Sequence, residues 1–334
     1  MAIAASNFIT TTTRERFFPK VVNNIFTGNR LWNRLRASAR PWTGGHRMTQ
    51  STTVVDRASA KSFSGFDALD TDQKDVRKMF VEDPSEYSNQ VVFSGIQMAV
   101  NKGPEAFVNA MASEFTDVGR NLGEKLGADT YLDGTGNGGK AITGLNALVD
   151  DGTDIVTIQG LSRTTYPVLN STRNAQAGAL GFDDLATDVD AAQRGNDSPT
   201  VMMTTPAVFS IIERLTTPTL QINYQQSLPT GSPTGGSAGV SLSTGANAQY
   251  FRGIPILSDE MCPAQNLWTL NENHLFLYNL AKAPESVVAS KEGFGWSGWR
   301  KGSNQDAIVG WLLWTGQLVT ESSRTMARRT AIAT

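Results

Sequence analysis

Two glycine-rich stretches carry letter patterns that could serve nucleotide chemistry. Gly134-Thr-Gly-Asn-Gly-Gly139-Lys140 fits GxxxxGK, a loop whose backbone amides and lysine cradle phosphates. That chemistry needs a strand ahead of the loop, a helix behind it and a hydroxyl directly after the lysine to hold magnesium. Here a helical pattern precedes the loop, Ala141 follows Lys140, and Thr143 comes two residues late. The context favours a turn that ends a helix, with a nucleotide hydrolase using Lys140 as the rival. Gly293-Phe-Gly-Trp-Ser-Gly298 spells GxGxxG, yet no helix follows it and no acid stands about 20 residues on to hold a ribose. Cys262 is the lone cysteine, and His46 and His274 are the two histidines. These allow neither a disulfide framework nor a zinc-type ligand cluster, and neither histidine has a spacing that links it to a nucleophile. Asp70-Thr-Asp72 opens like a calcium loop, but Asp75 and Val81 replace its obligatory glycine and glutamate. No residue earns a catalytic, cofactor-binding or metal role, so the sequence reads as a non-enzyme without a cofactor.

The GxxxxGK turn ends the element that organises the chain. Phe107, Met111, Phe115, Val118, Leu122 and Leu126 recur at helical spacing and predict one apolar stripe from Gly103 to Leu132. Pro104 and Glu105 suit the first turn, and Asp133-Gly134 suits the exit. At 1.5 Å per residue such a helix is roughly 40 Å long, enough to span a domain. Asp117, Arg120, Glu124, Lys125 and Asp129 make the other faces polar, which excludes a membrane span. Gly119, Gly123 and Gly127 line a further face. They either weaken the helix or form a flat strip that another backbone can approach.

The 334 residues suffice for one elaborate domain or two ordinary ones, and the net charge of −2 excludes a globally basic nucleic-acid binder. The charge is nonetheless segregated. Up to about residue 47 the chain carries Arg14, Arg16, Lys20, Arg30, Arg34, Arg36, Arg40 and Arg47 against Glu15 alone. Phe17, Phe18, Ile25, Phe26, Trp32 and Leu35 are interleaved with these bases, so the arm needs a surface to cover. Its own chain, a neighbouring subunit and nucleic acid are the three candidates. We see neither a signal peptide nor a membrane segment, and expect synthesis in the cytosol.

Next come β-type runs at 47–55, 58–66, 76–81 and 87–96, acidic through Asp67, Asp70, Asp72, Asp75, Glu82, Asp83 and Glu86. Residues 141–280 read as mixed α and β, with helices at 183–194 and 206–215, a buried strand at 200–204, and a Gly/Ser/Thr/Pro loop at 228–248. The last part is aromatic. Trp296, Trp299, Trp311 and Trp314 surround an apolar run, 307–318, that should return beneath the long helix.

The order of these parts resembles the major capsid proteins of tailed bacteriophages, which share the Hong Kong 97 fold. The resemblance rests on Gly44-Gly45, Phe63-Ser-Gly65-Phe-Asp-Ala-Leu69-Asp70, the long helix with Tyr131-Leu-Asp133-Gly-Thr-Gly136, Ile142-Thr-Gly144-Leu145, Thr204-Thr205-Pro206, and Phe251-Arg-Gly253-Ile-Pro255-Ile. It implies an α+β subunit with an N-terminal arm (1–46), an extended β E-loop (47–95), a peripheral domain with a spine helix (96–139), an axial domain (140–280) and a return to the peripheral domain (281–334). Implied too are hexamers and pentamers closing into an icosahedral shell around double-stranded DNA, with the protein located in the virion after assembly in the host cytoplasm. A separate scaffold protein, a portal and decoration proteins are the implied partners; a membrane is not. An encapsulin-like compartment shell is the rival on the same fold. For contacts between subunits we single out Arg34, Arg36 and Arg40 on the arm, facing Asp70, Asp72 and Asp75 on a neighbour's loop.

Overall fold

The computed structural model describes residues 29–55, 60–69, 75–100, 104–220, 249–280, 293–302 and 306–334, with the backbone path alone for 98–100, 104–113 and 216–220. Residues 1–28, Asp70, Asp72, the side chains of Phe107 and Met111, and the whole 228–248 loop therefore lie outside the described residues.

An arm helix, Arg30–Ala37, comes first, followed by β1 (Arg40–Trp42), β2 (Met48–Thr53), β3 (Arg77–Glu82) and β4 (Ser85–Ser94). A short helix, Gly95–Val100, leads into the long helix, Pro104–Tyr131. Then follow β5 (Thr157–Ile158), β6 (Leu161–Ser162), β7 (Thr172–Ala175), a helix Phe182–Ala192, β8 (Val201–Thr204) and a helix Pro206–Leu220. The rest is strand-rich: β9 (Gln249–Phe251), β10 (Ile254–Ser258), β11 (Leu267–Leu270), β12 (Leu275–Leu280), β13 (Phe294–Trp296), β14 (Arg300–Lys301), β15 (Ala307–Thr320) and β16 (Ala327–Thr330).

Two six-stranded sheets carry the molecule. In the first, β15 pairs antiparallel with β4 from Ala307↔Ser94 to Gly316↔Ser85. Along its length it also pairs in succession with β14, β13 and β12, and β1 adds in parallel outside β12. The second sheet runs β7-β16-β11-β8-β10-β9. The interleaving departs from the boundaries drawn on the sequence. β4, read there as the last strand of the extended loop, belongs to the first sheet; so does β12, while β16 crosses back into the second. Short strands such as Ala-Arg-Arg-Thr carry no local signal of the sheet they join, because pairing is decided by partners distant in sequence.

The long helix lies on the first sheet through Phe115, Val118, Leu122 and Leu126, all buried. Its partners are the aromatic residues of the chain's end. Phe115 meets Trp296 edge-on at 4.8 Å between ring centroids, and Trp296 meets Trp299 at 5.2 Å. The helix stops where Gly134 takes φ +86°, a conformation open to glycine at no steric cost. The helices Phe182–Ala192 and Pro206–Leu220 cover the second sheet over a separate apolar cluster that includes Leu185, Val189, Met202, Val208, Ile212 and Ile256.

Candidate assembly surface

The arm helix is fastened to its own chain at both ends. Leu31, Trp32 and Leu35 enter the main core, and Trp32 packs edge-on against Trp314 at 5.3 Å. At its start, Asn29 caps Trp32 N, and Asp259, just past β10, accepts Leu31 N at 3.0 Å. Asp259 is buried and also accepts the hydroxyl of Tyr131 at 3.1 Å and Met261 N at 2.9 Å. Burial pushes the Tyr131 hydroxyl well above its ordinary value, with the Asp259 charge adding to it. One carboxylate thus ties the arm, the long helix and the second sheet together.

Two of the arm arginines singled out for contacts with a neighbour, Arg34 and Arg40, hold partners within this chain. Arg34 forms a two-pronged ion pair with Glu272, 2.7 and 2.6 Å, and Glu272 in turn accepts from Thr200. Arg40 stacks over Phe276 at 3.4 Å and lies 3.5 Å from Glu321. Arg36 is half-buried on the same helix. Of the three loop acids, Asp75 pairs with Lys78 on its own ribbon, and Asp70 and Asp72 lie outside the described residues. The acids that hold the arm, Glu272 and Glu321, stand more than two hundred residues away, beyond the reach of local charge patterning.

β2 and β3 form an antiparallel ribbon, Met48↔Glu82 to Thr53↔Arg77, that projects from the first sheet. Its root is pinned from several sides. Gln317 of β15 accepts Thr143 N at 2.9 Å and donates to Asp83 O at 2.9 Å, while Ser85 Oγ donates to Ala141 O and Val81 N to Gln159 O. Beside the root a cavity of about 790 Å³ is lined by Glu82, Asp83, Glu86, Asp133 and Lys140, among others. Burial, then the neighbouring Asp83 charge, raises the Glu82 carboxyl to about 7 despite a hydrogen bond to Thr143. Lys140 of the GxxxxGK stretch borders this acidic cleft, and a helix precedes the stretch instead of a strand. Phosphates would meet carboxylates there, which argues against the nucleotide-hydrolase reading.

At the far end of the ribbon every residue from 60 to 69 is exposed. The sequence reading expected a strand across 58–66; residues 60–66 form none, because no described strand lies beside them. Local bonds shape this tip instead: Asp67 Oδ2 accepts Ser64 N at 2.8 Å, and Lys61 Nζ donates to Ala68 O at 3.1 Å. They leave Phe63 at 62%, Phe66 fully and Leu69 at 59% exposed. Three large apolar side chains on a projecting, internally bonded loop form a surface suited to a partner.

No protein-family model matches the chain, and no curated protein does. Solved structures do match. The capsid asymmetric unit of cyanophage A-1(L) aligns at TM-score 0.69 and 15% identity, over 92% of this chain and 93% of that one. The chain has the Hong Kong 97 capsid fold. At TM-score 0.54 it also matches the holo-SrpI encapsulin complex of Synechococcus elongatus, at 11% identity over 91% of this chain and 87% of that one. The capsid of a native GTA particle aligns at TM-score 0.54 and 12% identity, over 90% of each chain.

Proposed function

We propose that this chain is a major capsid protein that self-assembles into hexamers and pentamers closing as an icosahedral shell around double-stranded DNA. The observation that carries the reading is the fold match over nine-tenths of the chain with a phage capsid subunit. The apolar tip supports it, since a protein that works alone gains nothing from presenting Phe63, Phe66 and Leu69 to water. In this reading the tip docks on a neighbouring subunit, the region near 140–280 is the axial domain, and a separate scaffold protein, a portal and decoration proteins join the assembly. The protein acts by geometry and is not an enzyme; its place is the virion, after assembly in the host cytoplasm.

Electron microscopy of the purified protein tests this directly. Shells, tubes or rings are expected, and dispersed monomers at every concentration and salt would overturn it. An encapsulin-like shell is the second reading, favoured by the match to the SrpI complex. Nucleic acid packaged in particles from the native source supports the capsid; a packaged protein cargo supports the compartment.

A further inference from the structure

The sequence holds one Asn-Gly step, Asn137-Gly138, and it falls in the turn that follows the long helix. Asn137 stands at φ 52°, ψ 42° and Gly138 at φ 70°, ψ 34°, two left-handed residues in succession, and both are exposed. Asparagine and glycine are the residues that best tolerate this backbone. The bonds that shape the turn pass over the step: Gly139 N donates to Thr135 O at 3.1 Å and Lys140 N to Gly136 O at 3.2 Å. Among the described residues, neither the Asn137 amide nor Gly138 N has a hydrogen-bond partner. Nothing stands within 4 Å of where a Gly138 Cβ would be, so the step lies in open space.

The chain's two Asp-Gly steps, Asp133-Gly134 and Asp151-Gly152, make a contrast. Asp133 Oδ1 accepts Thr135 Oγ1 at 2.7 Å and Thr135 N at 3.0 Å, and these bonds hold its carboxyl below the ordinary value. Asp151 Oδ1 accepts Thr153 N at 3.0 Å. A carboxylate turned to its own donors resists attack by the nitrogen that follows it. A free neutral amide beside an unhindered nitrogen does not.

We propose that Asn137 is a modification site, deamidated in the folded protein without an enzyme. Gly138 N gives up its proton and bonds to Asn137 Cγ; the bond from Cγ to Nδ2 breaks, and ammonia leaves with a proton returned to it, so that a cyclic imide remains. Water then opens the ring at Cγ, giving aspartate, or at the Asn137 backbone carbonyl carbon, giving isoaspartate with the chain routed through Cγ. The net change turns amide and water into carboxylate and ammonium, with no oxidant or reductant. The turn borders the cleft at the ribbon root, where Lys140 is the one base among the lining residues against Glu82, Asp83, Glu86 and Asp133. Either product adds a carboxylate at this border, and isoaspartate also lengthens the backbone spanned by the bond from Gly139 N to Thr135 O. The exit of the long helix thus carries a slow, irreversible change of charge. The inference does not depend on the shell reading.

The test holds the full chain at mildly alkaline pH beside a synthetic peptide of residues 126–140, then follows the tryptic peptide by mass spectrometry and the ammonia released. Aspartate and isoaspartate should appear at Asn137 at a rate within about tenfold of the free peptide's, because an exposed turn opens at little cost. Gly138→Ala, whose Cβ crowds the attacking nitrogen and disfavours the left-handed backbone, should slow the reaction by about tenfold or more. Asn137→Gln, which would need a larger ring, should abolish the released ammonia assigned to this step. A folded chain that converts more slowly than that limit would show that the turn protects the amide and would overturn the proposal. So would a Gly138→Ala chain that converts as fast as the parent.

Discussion

The carboxylate of Asp259 joins Tyr131, the last residue of the long helix, to the start of the arm helix through Leu31 N, with bonds of 3.1 and 3.0 Å in a buried setting. Asp259→Ala orphans both donors, and we expect a loss of about 2–4 kcal/mol. Tyr131→Phe, which removes one hydroxyl and leaves the carboxylate its two backbone donors, should lose about 1 kcal/mol. Denaturant titration gives both values. An Asp259→Ala protein as stable as the parent would show that the arm helix is held by its apolar face alone.

Arg34 and Glu272 are each mostly but not wholly shielded from solvent, with side chains 16% and 19% exposed. Two-pronged geometry strengthens the pair and residual exposure weakens it, so a double-mutant cycle with alanine should give a coupling of about 1–2 kcal/mol. A coupling near zero would place the arm's anchorage elsewhere.

Glu82 gives the root of the ribbon a pH dependence of defined sign. Its carboxyl is raised from 4.5 to about 7, so the folded protein binds the proton more tightly than the unfolded chain does. Its contribution is most favourable below pH 4.5 and is lost as pH rises from there through about 7. Glu82→Gln should remove that loss, gaining up to about 3 kcal/mol relative to the parent at pH 8 and little at pH 4. Unfolding midpoints of the two proteins across this range are the measurement, and parallel curves would contradict it.

Phe66→Asp together with Phe63→Ser changes exposed side chains, so the monomer's stability should stay within about 0.5 kcal/mol of the parent. Assembly should fall sharply, because each fully buried aromatic contributes roughly 2 kcal/mol to a contact that a shell repeats many times. Light scattering reads assembly and calorimetry reads stability. Normal assembly would remove the tip from the subunit contact.

Phe115→Ala opens a cavity beneath the long helix at Trp296 and should cost about 3–5 kcal/mol. A loss below 1 kcal/mol would mean that the aromatic cluster closes over the gap.

The order of parts was legible in the sequence because its signals are local. A helix announces itself through spacing and caps, as Phe115 to Leu126 do between Pro104 and Gly134. The strand-cap-helix unit Val201–Thr204, Thr205, Pro206–Leu220 was readable for the same reason, and Thr205 Oγ1 does accept Val208 N at 3.3 Å. The fastening of the arm was not readable. Asp259, Glu272 and Glu321 are single acids and Gln317 a single amide in an apolar run, and each matters through a partner brought to it by the fold. Exposed arginines beside exposed acids suggested a clasp between subunits. Arg34 and Arg40 have partners in their own chain, close in space and distant in sequence.

The chain crosses between its two sheets twice within short spans, through residues 271–274 from β11 to β12 and through 321–326 from β15 to β16. Two struts at separate points resist twisting where a single tether would swivel. A pull on the ribbon would therefore travel through β15 and its links into the second sheet, and the subunit would turn as one stiff lever.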